Sequence, residues 1–320
     1  MKDYSFIILT FNEEQHLPRL LESIKGLNAP IFILDSGSTD RTLEVVEEVK
    51  AKRLNRSFDS AQDDSYAQDD CDAQDDKMEI EIKVNKFVNH PKQWDFALKN
   101  FDIQTPWIIG LDADQIVTPE LFKLLNEFDN STYKDVNAIY FNRKNFFQGT
   151  WIKHGGYYPF YMLKMFRNRI GFSDLNENMD HRFVAPGKSV IWKDGYLLEE
   201  NLKENDTEFW IAKHRKYSKL VAEEEYERLY SGRSQTVKPL FFGNPDQRRA
   251  WFKRLWWSLP LGARPYLYFS YRLFFKLGIL DGKTGIRFHY LHALWFRKLV
   301  DKELKTLIIN KNGRIGNEGK

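Results

Sequence analysis

Five residues, LDADQ (111–115), hold the carboxylates of Asp112 and Asp114 one residue apart, directly after an apolar run, PWIIG (106–110). A strand that ends in this way delivers acidic groups to the edge of a sheet, where open α/β folds collect their ligands. Two anions held so close repel one another unless a cation neutralises them. A hard divalent ion with oxygen ligands, Mg2+ or Mn2+, suits such a pair and keeps positions open for water and phosphate oxygens. A plainer reading has Asp112 capping the amphipathic helix predicted over IVTPELFKLL (116–125) and Asp114 merely solvated.

Three other stretches share this chemistry. TFNEE (10–14) supplies Thr10, Asn12 and Glu13 as hydrogen-bonding groups after the first apolar run. LDSGSTD (34–40) follows the second: Asp35 ends a strand, Gly37 lets the backbone turn tightly, and Ser36, Ser38 and Thr39 crowd nothing. Thr39 and Asp40 are also good helix N-caps, which is the simpler account of them. KQWDFALKN (92–100) puts Lys92 and Lys99 on a helix leading toward the Asp pair, as phosphate partners or as two surface charges.

The elements that must position these groups read as alternating strands and helices. YSFIIL (4–9) is β-branched and aromatic without polar alternation, which predicts a buried strand. HLPRLLESIKGL (16–27) predicts a helix, Ile31 to Leu34 a second strand and RTLEVVEEVK (41–50) a second helix. Two such units in succession predict a parallel sheet with right-handed crossovers. AQDD then occurs at 61–64, 67–70 and 73–76, in a run with hardly an aliphatic side chain. Such a segment buries too little apolar area to offset the entropy of ordering, so residues 53–77 read as a disordered insertion. Order returns with a strand in MEIEIKV (78–84), a helix over Pro91 to Phe101 and the strand that ends in LDAD. NAIYFNRKNFF (137–147), YYPFYMLKMFRN (157–168) and VIWKDGYL (190–197) predict further strands on an antiparallel flank. From about Glu204 the chain reads as helical.

Composition narrows the classes. A chain of 320 residues, 42% apolar and 29% charged, is ordinary for a globular protein, and a net charge of +3 makes no case for nucleic acid. The single cysteine, Cys71, excludes an internal disulfide framework and a Cys-rich zinc site. The short apolar run Phe6 to Leu9, followed by Glu13 and Glu14, is not expected to be a signal peptide. No stretch reaches the ~18 apolar residues of a spanning helix. Residues 247–300 interleave Trp251, Trp256, Trp257, Phe274 and Phe275 with Arg248, Arg254, Arg264 and Arg272, the pattern of helices lying in a membrane interface or of rings packed on a neighbouring domain.

The ordered series ILTFNEE, LPRLLES, IFILDSGSTDRT, KQWDFALKN and WIIGLDADQIVTPEL resembles the family-2 glycosyltransferases, over roughly residues 4 to 125. FFQGTWIKHGGYYPFYMLKMFRN, FWIAKHRKYS and LGILDGKTGIRFHYLHALW are similar to a bacterial branch that includes lipopolysaccharide-core and envelope-polysaccharide transferases. The resemblance implies a GT-A fold: an α/β, Rossmann-like mixed, mainly parallel sheet flanked by helices, here with a C-terminal amphipathic helical region. It implies a nucleotide-sugar domain over 1–203, a membrane-associating helical region over 204–305 and a flexible tail over 306–320. It also implies an inverting enzyme that moves a sugar from a nucleoside diphosphate, a UDP-sugar first among candidates, to a glycan or lipid-linked hydroxyl at the inner face of the cell membrane. Thr10, Asn12, Glu13, Asp35, Ser36, Gly37, Lys99, Asp112 and Ala113 would line the donor pocket, with Asp35 accepting from the base. Asp114 would bind the metal with Asp112.

Relatives often complete that metal site with a histidine near the equivalent of GYLLEENLK (195–203), where this chain has Glu199 and Glu200; Glu199 is the expected third ligand. In GFSDLNENMDHRF (171–183) the family's acceptor-side base would be Glu177 or else Asp180, with Asp174 also in the segment and His181 a further possibility or a surface imidazole. WIKHGGYYP (151–159) offers Trp151, Tyr157 and Tyr158 as flat faces for a sugar or lipid carrier, or else a glycine turn with core aromatics. Two rival functions stay open at this point: a nucleotidyltransferase acting on sugar phosphates, and a non-catalytic nucleotide-sugar binding protein.

Overall fold

A computed structural model describes residues 2–59, 79–178 and 181–315. Four strands, β1 (Tyr4–Thr10), β2 (Ile31–Asp35), β3 (Ile80–Val84) and β4 (Trp107–Asp112), lie parallel in the order β3-β2-β1-β4. All seven residues of β1 and all five of β2 are buried, as expected for strands covered on both faces. The crossovers are α1 (Leu17–Ser23), α2 (Thr42–Asp59) and α3 (His90–Asn100). Helix α2 runs to Asp59, so the first residues of the expected insertion continue it; the AQDD repeats fall outside the described residues.

The rest of the sheet is mixed. The strands are β5 (Gln115–Val117), β6 (Ala138–Phe147), β7 (Thr150–Ile152), β8 (Phe160–Arg167) and β11 (Ser189–Glu199), with a separate two-stranded pairing of β9 (Phe172–Ser173) and β10 (Phe183–Val184). Strand β8 is antiparallel to both β4 and β6 and sits between them. Strand β11 is parallel to β6 and antiparallel to β5. The helix predicted from Ile116 begins later. Ile116 and Val117 belong to β5, and α4 (Pro119–Asn126) starts behind Thr118, whose side chain accepts from the Leu121 N–H. A proline at the first helical position and a threonine cap before it explain the delay.

Two apolar layers sandwich the sheet. Tyr4, Phe6 and Ile8 of β1 face Leu17, Leu20, Leu121 and Leu125 on one side. Ile7 and Leu9 face Trp94, Ala97 and Phe101 of α3 on the other, so that alternate residues of the strand enter opposite layers.

The C-terminal region consists of α5 (Thr207–Tyr230), α6 (Pro245–Ser258), α7 (Arg264–Ser270), α8 (Gly282–His289) and α9 (Phe296–Ile315), so that the expected tail begins as helix. Phe147 and Ile152 of the sheet share an apolar cluster with Trp210, Phe288 and Val300 of these helices. Tyr157 joins that packing edge-on to Phe288, and Gly155 lies so close to the His289 ring that a Cβ would stand 2.0 Å from it. That part of WIKHGGYYP is therefore a close-packed turn, not a free aromatic face.

Arg264, expected among the lipid-facing cations, is fully buried, with Nη2 2.6 Å from Glu225 on α5 and Nε 2.7 Å from Asp301 on α9. Removing one partner of such a group leaves uncompensated charge in a low-dielectric interior. Arg264→Met should therefore lower unfolding stability by about 3–5 kcal/mol, read as a shift in the urea midpoint. An unchanged midpoint would show that the three side chains are hydrated in solution.

Candidate active site

The first two βα loops are tied together by one carboxylate. Asp35, fully buried at the end of β2, accepts from Thr10 Oγ1 at 2.9 Å, from the backbone N–H of Gly37 at 2.8 Å and Ser38 at 2.7 Å, and from Ser38 Oγ at 2.5 Å. Gly37 has φ +88, the left-handed region that this turn requires. These four protein donors occupy the carboxylate, so Asp35 organises the loop in this structure. Asn12 closes the same rim: its N–H donates to Ser38 Oγ at 2.8 Å and its side-chain oxygen accepts from the Thr39 N–H at 2.8 Å. Ser36 Oγ accepts from Gln93 of α3 at 2.9 Å. Glu13 meets Lys203 at 2.8 Å and His16 at 2.5 Å, joining this loop to the segment after β11.

Asp112 is in register with Leu9 of β1, which places it beside Thr10 and hence beside this rim. One of its oxygens meets Lys164 Nζ of β8 at 2.9 Å. The other lies 3.5 Å from His90 Nε2 and 4.0 Å from His181 Nδ1, is itself buried, and has no hydrogen-bond partner among the described residues. Burial alone would raise its pKa, but the Lys164 ammonium, followed by His181 and His90, holds it well below the ordinary carboxylate range. His181 is no surface imidazole: it is buried against Trp94 and Phe183, and burial keeps it neutral.

Asp114 points into a different neighbourhood. Its side chain accepts from Asn201 at 3.2 Å and its carbonyl from the Glu200 N–H at 3.2 Å. Desolvation, and then the charges of Glu199, Asp112 and Glu13, push it up to about 8, with Lys213 pulling the other way. Glu199, the expected third metal ligand, has one oxygen on Arg143 at 2.6 Å and the other on Gln115 at 2.8 Å. Glu200 pairs with Arg19 at 2.7 Å. Gln115 is the unforeseen member of LDADQ; fully buried, it also accepts from the Asp112 N–H at 3.2 Å and so braces the turn between the two acids. Among the described residues, the ligand atoms that gather within 4.8 Å are those of His90, Asp112 and His181. Ala113 is buried between the two acids.

Two other expected residues, Lys99 and Glu177, have partners of their own. Lys99 stands in the last turn of α3, two-thirds exposed and paired with Asp95 at 2.8 Å. His90, at the first turn of the same helix, is the residue beside Asp112. At 1.5 Å per residue the two are some ~13 Å apart along the axis. Glu177 is buried, 2.7 Å from Arg182, 3.2 Å from Arg228 and 3.4 Å from Lys253. Those cations override desolvation and depress its proton affinity, the reverse of what a general base needs. Asp174 is also buried and accepts from Thr236 at 2.6 Å. Asp180 lies outside the described residues.

A parallel sheet whose first two loops face an acidic strand end is the layout of a nucleotide-sugar transferase of the GT-A fold. The chain belongs to glycosyl transferase family 2, whose sequence profile matches residues 5–181. It is an enzyme of that glycosyltransferase family, which sets aside the nucleotidyltransferase and scaffold alternatives. It is 26% identical over 314 residues to the lipopolysaccharide core biosynthesis glycosyltransferase LpsC of Rhizobium meliloti (strain 1021), covering 94% of this chain and 97% of that one. Among solved structures it is similar to S. aureus TarS 1–349, at 14% identity over 99% of this chain and 92% of that one, TM-score 0.42. A mannosyltransferase from Pyrobaculum calidifontis, solved with GDP-Man and Mn2+, is similar at 13% identity over 94% and 86%, TM-score 0.47.

Asp114 makes the site pH-sensitive in a calculable direction. An acid whose folded-state pKa is raised, here from 3.8 to about 8, contributes stability that is complete below the lower value and is lost as pH rises through the upper one. The melting temperature of chelator-treated protein should therefore fall as pH rises from about 4 to about 8 and level off above that, and Asp114→Asn should flatten that fall. Identical slopes for the two proteins would remove Asp114 as the cause.

Proposed function

We propose that the chain is an inverting glycosyltransferase that moves a sugar from a nucleoside diphosphate, a UDP-sugar foremost, to a hydroxyl of a lipid-linked or cell-envelope glycan. The observation that carries this reading is the position of Asp112 and Asp114 at the end of β4, between the Thr10–Asn12 rim and the Asn201–Lys203 segment. The relationship to a lipopolysaccharide-core transferase along nearly the whole of both chains supports an envelope-glycan acceptor.

A divalent cation fits this site. Asp112 carries a buried oxygen without a hydrogen-bond partner among the described residues, two imidazoles converge on it, and Asp114 has Glu199, Asp112 and Glu13 as charged neighbours. Asp112 and Asp114, assisted by His90 and His181, would hold the ion, and nitrogen donors favour Mn2+ over the harder Mg2+. When bound, the ion supplies charge stabilisation to the departing diphosphate. The protein's own groups do the rest. Asp35 fixes the Gly37–Ser38 turn, and Asn12 with Thr39 closes the rim against which the nucleotide lies. Lys164 keeps Asp112 ionised and adds positive charge near the phosphates. The acceptor oxygen attacks the anomeric carbon as the bond to the diphosphate breaks, which inverts that centre. Its proton passes to a carboxylate, and Asp180 takes that role in this reading because Glu177 is neutralised by three cations.

The helical region after residue 203 would face the inner surface of the membrane. No described helix is long and apolar enough to cross one. Phe242 is 96% and Phe275 80% exposed, and the exposed cations Arg248, Arg254 and Lys276 lie in the same region, a combination suited to an anionic interface. Arg264 and Arg272 take no part, since the latter stacks on Tyr157 and Tyr268 at 4.3 and 4.6 Å.

Asp114→Ala should abolish both turnover and Mn2+-dependent thermal stabilisation by the donor. Asp180→Asn should keep donor stabilisation and lose about 10²–10⁴-fold in turnover. Glu177→Gln, by contrast, should mainly lower the melting temperature. The reading fails if no UDP-, GDP- or dTDP-sugar stabilises the protein with Mn2+, and the base assignment fails if Asp180→Asn turns over normally.

A further inference from the structure

A second charged recess lies away from the Asp112–Asp114 rim, between the end of α5, the segment that follows it and α6. Its walls carry Arg228, Arg233, Lys238 and Arg254, with Trp257 beside them, and no carboxylate lines it. With its open mouth included, it encloses about 890 Å³. Arg228 and Arg233 are held by the protein: Arg228 lies 2.7 Å from Glu224 and 3.2 Å from Glu177 and donates to the Asn176 carbonyl, and Arg233 is bonded to Glu227 and donates to the Leu175 carbonyl and to the side-chain oxygens of Asn176 and Asn178. Lys238 and Arg254 are exposed, and neither has an ion pair or hydrogen bond among the described residues.

One detail points to a ligand. Arg228 is only 4% exposed, yet its Nε has no hydrogen-bond partner. A buried guanidinium N–H left unmade is costly unless something else accepts from it. The terminal nitrogens of both arginines are held by protein acceptors, so the groups left to meet phosphate oxygens are the ammonium of Lys238 and the guanidinium of Arg254 at the mouth, with the unpartnered Nε of Arg228. The outer face of α6 adds a second character. Trp251, Phe252 and Leu255 are exposed there, and Phe241 packs edge-on against Trp251, Phe252 and the exposed Phe242. A cationic groove bordered by an apolar ridge suits an amphiphile whose phosphate sits on an apolar chain.

The groove also adjoins the acceptor-side loop. Arg228 and Thr236 belong both to it and to the small pocket that holds Asp174, Glu177 and Arg182. Arg182 follows His181, which stands beside Asp112.

We propose that this groove is a phosphate-binding subsite for the acceptor: it takes the phosphate group of a lipid-anchored glycan and so presents the sugar end to the site at β4. The proposal rests on the transferase reading above, but its residues are separate from those assigned to donor and metal.

The test uses the full chain, the charge-reversed variant Lys238→Glu/Arg254→Glu and Asp114→Ala. Each is titrated with inorganic pyrophosphate in chelator, and with vesicles of phosphatidylcholine alone or mixed with phosphatidylglycerol. The wild-type protein and Asp114→Ala should bind pyrophosphate equally. The double variant should bind at least about tenfold more weakly, with an unchanged melting temperature. Stronger binding to the anionic vesicles, lost in the double variant, would assign the phosphate to a lipid headgroup. Binding of pyrophosphate without any vesicle preference would assign it to the phosphorylated glycan itself. Equal pyrophosphate affinity in wild type and double variant overturns the subsite. If donor sugars fail to stabilise the protein while this affinity difference persists, the transferase reading fails and the groove stands as an anion site.

Discussion

A lysine with no solvent exposure, Lys164, meets Asp112 at 2.9 Å, and much of the site's electrostatics follows from that contact. Two acids at a strand end cannot both stay ionised in a desolvated setting without compensation. Lys164 compensates one of them. Asp114 has no cation in contact among the described residues and is driven toward its neutral form by burial first and then by Glu199, Asp112 and Glu13. The consequence is an asymmetric pair: one carboxylate already charged and braced, the other short of a cation.

The lysine reaches Asp112 only because β8 runs antiparallel between β4 and β6. The parallel half of the sheet supplies the rim made by the first two loops. The mixed half supplies Lys164, Arg143 and Glu199, all directed toward the same edge. Charge balance at the site is therefore shared between halves of the chain far apart in sequence. The C-terminal helices extend this arrangement. Buried Arg264 ties α5, α7 and α9 together, while Arg182, Arg228 and Lys253 converge on Glu177 and couple the loop before β10 to α5 and α6. Glu177 is the hub of that network.

Much of this was legible in the residues alone. The unbroken apolar runs specify β1, β2 and β4 to within about two residues, because a strand buried on both faces has to be continuously apolar. Turn chemistry marks the loops: Gly37 adopts the left-handed backbone that its place after Asp35 suggests. Where local signals compete, the reading slips. Ile116 and Val117 fit an amphipathic helix as well as a strand, and pairing with Leu197 and Leu198 decides for the strand. Lys99 and His90 share one helix, and composition alone does not say which of its ends meets the site.

What the sequence determined by itself is the order of elements, the acidic strand end and the small-residue loops, since these follow from local periodicity and backbone preference. What only the tertiary structure decided is which charges face each other: Lys164, His90 and His181 around Asp112, Arg143 and Gln115 on Glu199, three cations on Glu177. These partners lie tens of residues apart along the chain, and the Coulomb interaction depends on separation in space, which the spacing of residues in sequence does not encode.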